Sequence, residues 1–271
     1  MESSSVYRCA LITGASSGLG AEFARQLAPL CDVVILTARR IELLQELAVE
    51  LSEASPDINI HCLQADLTVS EDIEALFSSI ESLTLTPDLL INNAGMGDYG
   101  EFSSSDWPKV NAMMQLNMVA LTHLTRHYLP AMIINGAGDI INVSSLASIL
   151  PIPDFAVYAA TKAYVTSFSE ALRIELRDHG INVLALCPGP VHTGFGHVAQ
   201  RGAHRNVTPG GESVYVSAQQ VVAEGIRALR RGKARHYPGR RIAMTAVVIS
   251  LLPVAALRLV MGRRPRRRLS L

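Results

Sequence analysis

Short runs dense in Val, Ile and Leu, at 7–13, 32–37, 59–64, 88–92, 139–144 and 181–187, alternate with longer stretches whose apolar residues recur every three or four positions, such as 41–51 and 73–83. This alternation constrains the chain more than any other feature. Nearly continuous apolar runs of this length suit strands buried on both faces, and a helix after each strand carries the chain back to lay the next strand parallel. Strand then helix, six times over, predicts one parallel sheet with helices on both faces. The right-handedness of such crossovers leaves the doubly wound α/β arrangement as the expected topology. No repeat and no Ser/Pro linker interrupts the pattern, so residues 1–239 read as one domain and 240–271 as a tail.

Composition supports a packed core, with 49% apolar and 18% charged residues, too little charge for a disordered chain. Cys9, Cys31, Cys62 and Cys187 show no C-x-x-C spacing, so neither zinc nor a redox pair is indicated. Three of them fall in apolar runs and read as buried reduced thiols. The opening MESSSVYR lacks the apolar core of a cleaved signal peptide, and a cytoplasmic setting is expected. The net charge of zero conceals a division. Residues 1–224 hold all 24 acids and 11 of the Lys/Arg residues, whereas 225–271 hold the other 13 Lys/Arg and no acid. Such asymmetry directs attention to a membrane or nucleic-acid contact by the tail.

The first run ends in Thr13-Gly14-Ala15-Ser16-Ser17-Gly18-Leu19-Gly20. Glycines in a turn between a strand and a helix let the backbone approach a pyrophosphate, and the helix N-terminus supplies N–H donors and positive potential. The position directly after the first strand, rather than the glycines alone, makes this a dinucleotide turn. At the end of the second run a carboxylate would select NAD; this chain reads Ala38-Arg39-Arg40, with no acid before Glu42. Two cations opening a helix oppose its dipole, so Arg39, with Arg40, is better explained by a 2′-phosphate, and the expected cofactor is NADP(H).

Tyr158 and Lys162 lie four apart in a helical stretch over 154–177 and share a face. A phenol is a poor base, and a neighbouring ammonium favours its ionised form. Ser144 and Ser145 close the fifth run, where the ligand crevice of a parallel sheet lies. Together with Thr13-Gly14, Gly18-Leu19-Gly20, Asp66-Leu67, Asn92-Asn93-Ala94-Gly95, Asn117 and Pro188-Gly189-Pro190-Val191-His192-Thr193, these residues resemble the motifs of the short-chain dehydrogenase/reductase family, of its single-domain, NADP-preferring branch. The motifs stand in the family's order over 7–193.

The resemblance implies a Rossmann-like fold, a homo-oligomer (dimer or tetramer), and hydride transfer between nicotinamide and a carbonyl or alcohol. Tyr158 is then the proton donor or base, and Ser145 holds the substrate oxygen. Lys162 binds the nicotinamide ribose and lowers the Tyr158 pKa, and Asn117 holds a water in the proton relay. Asp66 and Leu67 border the adenine, and Asn93 and Ala94, next to Gly95, the adenosine ribose. Pro188, Gly189, Val191 and Thr193 face the nicotinamide amide, while Ser16 and Ser17 belong to the phosphate turn. His192 and His197 have no partner ligands, so no metal is expected.

Pocket walls are expected from Met96, Gly97 and Tyr99, from 146–155, and from 194–215, read as a long irregular loop. Met96, Leu146, Ile149, Leu150, Ile152 and Phe155 favour a lipophilic ketone or aldehyde. Arg201, His204 and Arg205 could meet an anionic group, although solvated loop charges are the simpler reading. Ser217 and Gln220 resemble a capping box, Asp106 and Pro108 a helix start, and 234–238 a short strand. Residues 242–262 read as an apolar helix interrupted by Pro253 and Arg258 and flanked by Arg240, Arg241 and the arginines of 263–268. A peripheral helix on an anionic membrane surface is the first expectation, packing on the body or on a subunit the second, and a true span the third. Nucleic-acid binding is not expected, because no aromatic is interleaved with the arginines. The rival to an enzyme is a non-enzymatic NADP-binding sensor or membrane adaptor on the same fold. Asn117, Ser145, Tyr158 and Lys162, all in place, oppose it.

Overall fold

Alternation within β1 (Tyr7–Thr13) sorts the molecule into layers: Ala10 and Ile12 point into one core, Cys9 and Leu11 into the other. The computed structural model describes residues 6–192, 194–199, 201 and 215–262. After β1 come β2 (Cys31–Ala38), β3 (Asn59–Gln64), β4 (Leu89–Asn92), β5 (Gly138–Val143), β6 (Ile181–Leu186) and β7 (Arg235–His236). Among the described residues they form one parallel sheet in the order β3-β2-β1-β4-β5-β6-β7. The helices are α1 (Gly18–Leu27), α2 (Ile41–Ala54), α3 (Ser70–Ser82), α4 (Trp107–Met114) and α5 (Leu121–Asn135). They continue with α6 (Ala156–Glu175), α7 (Phe195–Ala199), α8 (Ala218–Arg230), α9 (Arg240–Leu251) and α10 (Val254–Gly262).

One face of the sheet is covered by α1, α2 and α8 through Phe23, Leu44, Leu47, Val222 and Ile226. The other is covered by α3, α5 and α6 through Ile73, Phe77, Leu124, Met132 and Leu172. Each such side chain contributes about 1.5–3 kcal/mol when fully buried, so strands covered on both faces tolerate few polar interruptions. This is the doubly wound arrangement. Its order reverses between β1 and β4, which opens a crevice at the carboxyl ends of those strands. Cys9, Cys31 and Cys187 are buried and all four cysteines are free; burial pushes the Cys9 and Cys31 thiols up to about 12.

Several local expectations differ. The stretch 194–215 is not irregular throughout, since 195–199 form α7. The expected single apolar helix is two, because Pro253 has no N–H to continue the ladder and α9 ends at Leu251. Ser217 caps α8 by accepting the Gln220 N–H at 3.1 Å, but the Gln220 side chain turns to Glu224 rather than back, so the box is half formed. Asp106 precedes α4 without a side-chain cap bond, and Pro108 lies in the first turn. Between α4 and α5, residues Gln115–Ala120 widen into a π-turn.

Candidate active site

The Thr13 hydroxyl joins the two strands that flank the crevice. It donates to the Ile91 carbonyl at 3.1 Å and accepts the Asn93 and Ala94 N–H groups, each at 3.0 Å. Asn93 reciprocates, its amide donating to the Thr13 carbonyl at 2.9 Å and the Gly14 carbonyl at 3.3 Å. Gly14 has φ +65°, and a Cβ there would lie 2.9 Å from the Ala94 Cα. At Gly20 a Cβ would overlap the Gly14 carbonyl oxygen. The turn and the α1 N-terminus are thus pressed together with no room for side chains. Ser17 precedes α1 in extended conformation and makes no side-chain cap bond, leaving the first-turn N–H groups to an external acceptor.

Arg40 reaches across to this turn, its Nη2 3.0 Å from Ser16 Oγ and 3.1 Å from Ser17 Oγ. Arg39 is largely exposed and stands 3.9 Å from Asp66, while its carbonyl accepts the Gln64 amide at 2.9 Å. Asp66 is also turned inward, accepting the Thr68 N–H and hydroxyl. Leu67 is buried beside it. Two guanidinium groups therefore stand beside a glycine cradle, an arrangement suited to a phosphorylated ribose and its pyrophosphate. Thr193 and the side chain of His197 lie outside the described residues, as do His204 and Arg205.

At the end of β5 the two serines part. Ser144 Oγ donates to the Lys162 carbonyl at 2.9 Å and pairs with Thr166 Oγ1 at 2.7 Å, buried beneath α6. Ser145 Oγ accepts the Ala147 N–H at 3.1 Å and hydrogen-bonds Tyr158. Lys162, one helical turn on, is buried with Nζ donating to the Val143 carbonyl at 2.8 Å and 5.8 Å from the Tyr158 ring centre. The expectation that Lys162 lowers the Tyr158 pKa is not met by the protein groups alone. Burial pushes the phenol up to about 12 against the opposing Ser145 bond, and pushes Lys162 down to about 8. Tyr158 is accordingly a held proton.

Asn117, in the π-turn, grips the chain after β4. Its Oδ1 accepts the Met96 N–H at 2.9 Å, and its amide donates to the Met96 carbonyl and to Thr161 Oγ1, each at 3.0 Å. These bonds fix Gly95–Met96 and leave one acceptor position on Oδ1. A Cβ on Gly95 would lie 3.2 Å from Asn117 Oδ1 and 3.4 Å from Lys162 Nζ.

A model of the short chain dehydrogenase family matches residues 8–203. The chain belongs to this family. Sulfoacetaldehyde reductase 2 of Chromohalobacter salexigens is 33% identical over 211 residues, 73% of this chain and 81% of that protein. A short-chain dehydrogenase from Sphingobium yanoikuyae, solved in complex with NADPH, has a TM-score of 0.79 at 29% identity, covering 96% of this chain and 98% of that one. The bulky-bulky ketone specific alcohol dehydrogenase of Comamonas testosteroni has a TM-score of 0.76 at 27% identity, covering 96% of both chains.

In this short-chain dehydrogenase Tyr158 lies among aromatic rings. Phe155 stacks on Tyr158 with ring centres 4.2 Å apart, and Phe195 of α7 stands 5.6 Å from the same ring. Gly97 admits them, since a Cβ there would lie 3.0 Å from Phe195 and 3.3 Å from Phe155. The Pro188 carbonyl accepts the Leu146 N–H at 2.8 Å, and Val191 pairs with Val216, tying the 188–192 segment to the far end of the site. His192 stacks on Tyr215 rather than joining the reacting groups.

Sequence reasoning missed the clamp that seats α7. Asp98 is buried and accepts from Arg201 Nε at 2.8 Å and from Arg201 Nη2, with Lys109 at 3.1 Å. These cations hold its carboxyl below the usual carboxylate range, the Arg201 bonds first. Arg201 is thereby occupied: it is not the solvated loop charge that is the simpler reading of the sequence, and its guanidinium is not free to meet an anionic group. A cavity of about 40 Å³ beside the clamp touches none of Ser145, Tyr158 and Lys162 and is too small for a substrate. Partners 103 residues apart carry no local signal; a lone acid in Gly-Asp-Tyr reads as a turn.

Proposed function

We propose that the chain is an NADP(H)-dependent reductase of lipophilic ketones or aldehydes, with Asn117, Ser145, Tyr158 and Lys162 as its reaction machinery. The observation that carries this reading is the Ser145–Tyr158 hydroxyl pair, set against Phe155 and Phe195, with Lys162 buried one turn away. The cradle fits the cofactor: Gly14 and Gly20 stand where a Cβ would collide and Gly95 where one would be tight, the N-terminus of α1 is uncapped by side chains, and Arg39 and Arg40 flank it. Ser16, Ser17, Gly18, Leu19, Asp66, Leu67, Asn93, Ala94, Pro188, Gly189, Val191 and Thr193 would complete its surroundings. When bound, NADPH supplies a hydride to the carbonyl carbon. The relative from Sphingobium yanoikuyae, bound to NADPH, and the ketone-specific relative support the two halves of the reading.

The protein's own part follows from its geometry. Ser145 Oγ accepts the Ala147 N–H, which orients the hydroxyl, and the hydrogen it turns toward Tyr158 is the one it would offer to a substrate oxygen. Tyr158, kept protonated by burial, stands where it would deliver its proton to that oxygen in reduction. Lys162, anchored by Val143, would meet ribose hydroxyls and stabilise the phenolate left behind. The aromatic wall excludes water from the developing alkoxide. The same body is read as a homo-oligomer, dimer or tetramer.

NADPH oxidation over ketones and aldehydes of graded chain length tests the substrate class, with activity expected to rise with apolar size. Tyr158→Phe should lower kcat by about 10²-fold or more while NADPH binding, read by fluorescence titration, persists. Unchanged turnover in that variant overturns the mechanism.

A further inference from the structure

Helix α9 is apolar on two opposite faces, and only one of them is covered. Ile242 and Ala246 are buried, and Ile242 rests on Gly189, where a Cβ would lie 2.6 Å from its Cδ1. The opposite face carries Met244, Val247, Val248 and Leu251, exposed to 70%, 60%, 58% and 78%. Their spacing of three, four and seven is one helical stripe. Leu252, just before the Pro253 break, and Leu259, beyond it, continue the exposed apolar surface at 40% and 62%. Contiguous apolar patches rimmed by polar residues mark contact surfaces, whereas singly scattered apolar residues do not.

The rim identifies the partner. From 225 to 271 there are 13 Lys/Arg and no acid: Arg240 and Arg241 open α9, Arg258 lies within α10, and five arginines follow in 263–268. A second copy presenting the same stripe would bring these cations against their own kind. A nucleic acid would leave the apolar stripe in water. An anionic phospholipid surface meets both features, taking apolar side chains into the headgroup boundary and arginines among the phosphates. Among the described residues no helix is long and apolar enough to cross a membrane, so the contact is lateral. The remainder of the chain, 1–224, carries 13 more acids than bases and is repelled by the same surface, which orients the contact.

We propose that α9 and α10, with Arg240, Arg241 and Arg258 among their residues, are a docking surface for an anionic phospholipid bilayer. The surface adjoins the site, since α9 packs on Gly189 and against the 146–149 turn that follows Ser145. A lipid layer seated there borders the wall past which a lipophilic substrate would enter. The docking itself does not depend on the reductase reading.

The test is co-sedimentation of the full-length protein with vesicles of phosphatidylcholine alone and of phosphatidylcholine with phosphatidylglycerol in equal parts. Sedimentation is expected only with the anionic vesicles and should fall at high salt. Val247→Glu with Leu251→Glu should reduce the bound fraction roughly tenfold, with the thermal midpoint of unfolding retained because both positions are exposed. The proposal is overturned by absence of binding to either vesicle, or by equal sedimentation of a variant that still melts like the parent. It is equally overturned if the double variant loses mass by light scattering, as a broken dimer would, while its vesicle binding is unchanged.

Discussion

Adjacent serines at the end of β5 point in opposite directions because successive strand side chains alternate faces, and this gives them separate tasks. Ser144 is fastened beneath α6 by the Lys162 carbonyl and Thr166, whereas Ser145 turns toward Tyr158. Ser144→Ala leaves a buried hydroxyl and carbonyl short of a partner and should cost about 1 kcal/mol of unfolding free energy. Its effect on kcat should be small by comparison. Ser145→Ala should leave the denaturation midpoint in place and lower kcat by about 10²-fold. Denaturant melts and steady-state kinetics on the two variants decide between them, and the reverse pattern would exchange the assignments. Spacing to Tyr158 had already singled out Ser145 in the sequence. The direction of the Tyr158 shift was not legible there, because it depends on how much protein closes over the ring rather than on the i+4 lysine alone.

At the scale of elements, six strands were readable within a residue of their ends, since two-sided burial writes itself as an unbroken apolar run. Features whose cause is not local composition were not readable. The π-turn at 115–120 uses residues that would sit as well in an α-helix, and α7 depends on Asp98 and Arg201 meeting across the fold. The glycine turn shows the opposite case, where residue type and geometry coincide. Gly20 is the first-turn residue of α1 that lies against the Gly14 carbonyl, so even a methyl group must push the helix away from β1. Gly20→Ala should destabilise the protein by about 1–3 kcal/mol, the usual range for overpacking. It should also weaken NADPH binding by more than tenfold, because the α1 N–H groups no longer converge on the cradle. A titration that finds NADPH affinity unaltered would remove this turn from the proposed cofactor site.

On the scale of the whole molecule, the neutral total charge describes neither part of the chain. An acidic sheet-and-helix body is joined to a basic terminus, and the junction is a packed one. The Glu224 carboxylate accepts the Gly239 N–H at 3.1 Å and pairs with His236 at 3.0 Å, fixing the turn into α9. Ile242 then closes over Gly189, within the segment proposed to face the nicotinamide. The division proposed from the sequence, a body of 1–239 and a tail of 240–271, is therefore open to a direct comparison of two truncations. A chain ending at Leu252 keeps α9 and its two buried residues, and its midpoint and turnover should match those of the intact protein. A chain ending at Gly239 loses the Ile242 contact, which alone is worth about 2–5 kcal/mol by analogy with deletion of a buried aliphatic side chain. For a domain of this size each kcal/mol shifts the midpoint by about 2–4 °C, so a fall of at least roughly 4 °C is expected, with a raised KM for NADPH. If both truncations melt together with the parent, α9 is an appendage and the shorter boundary stands. If only the shorter chain falls, the catalytic body extends through α9, and the apolar stripe is carried by a helix whose other face supports the site.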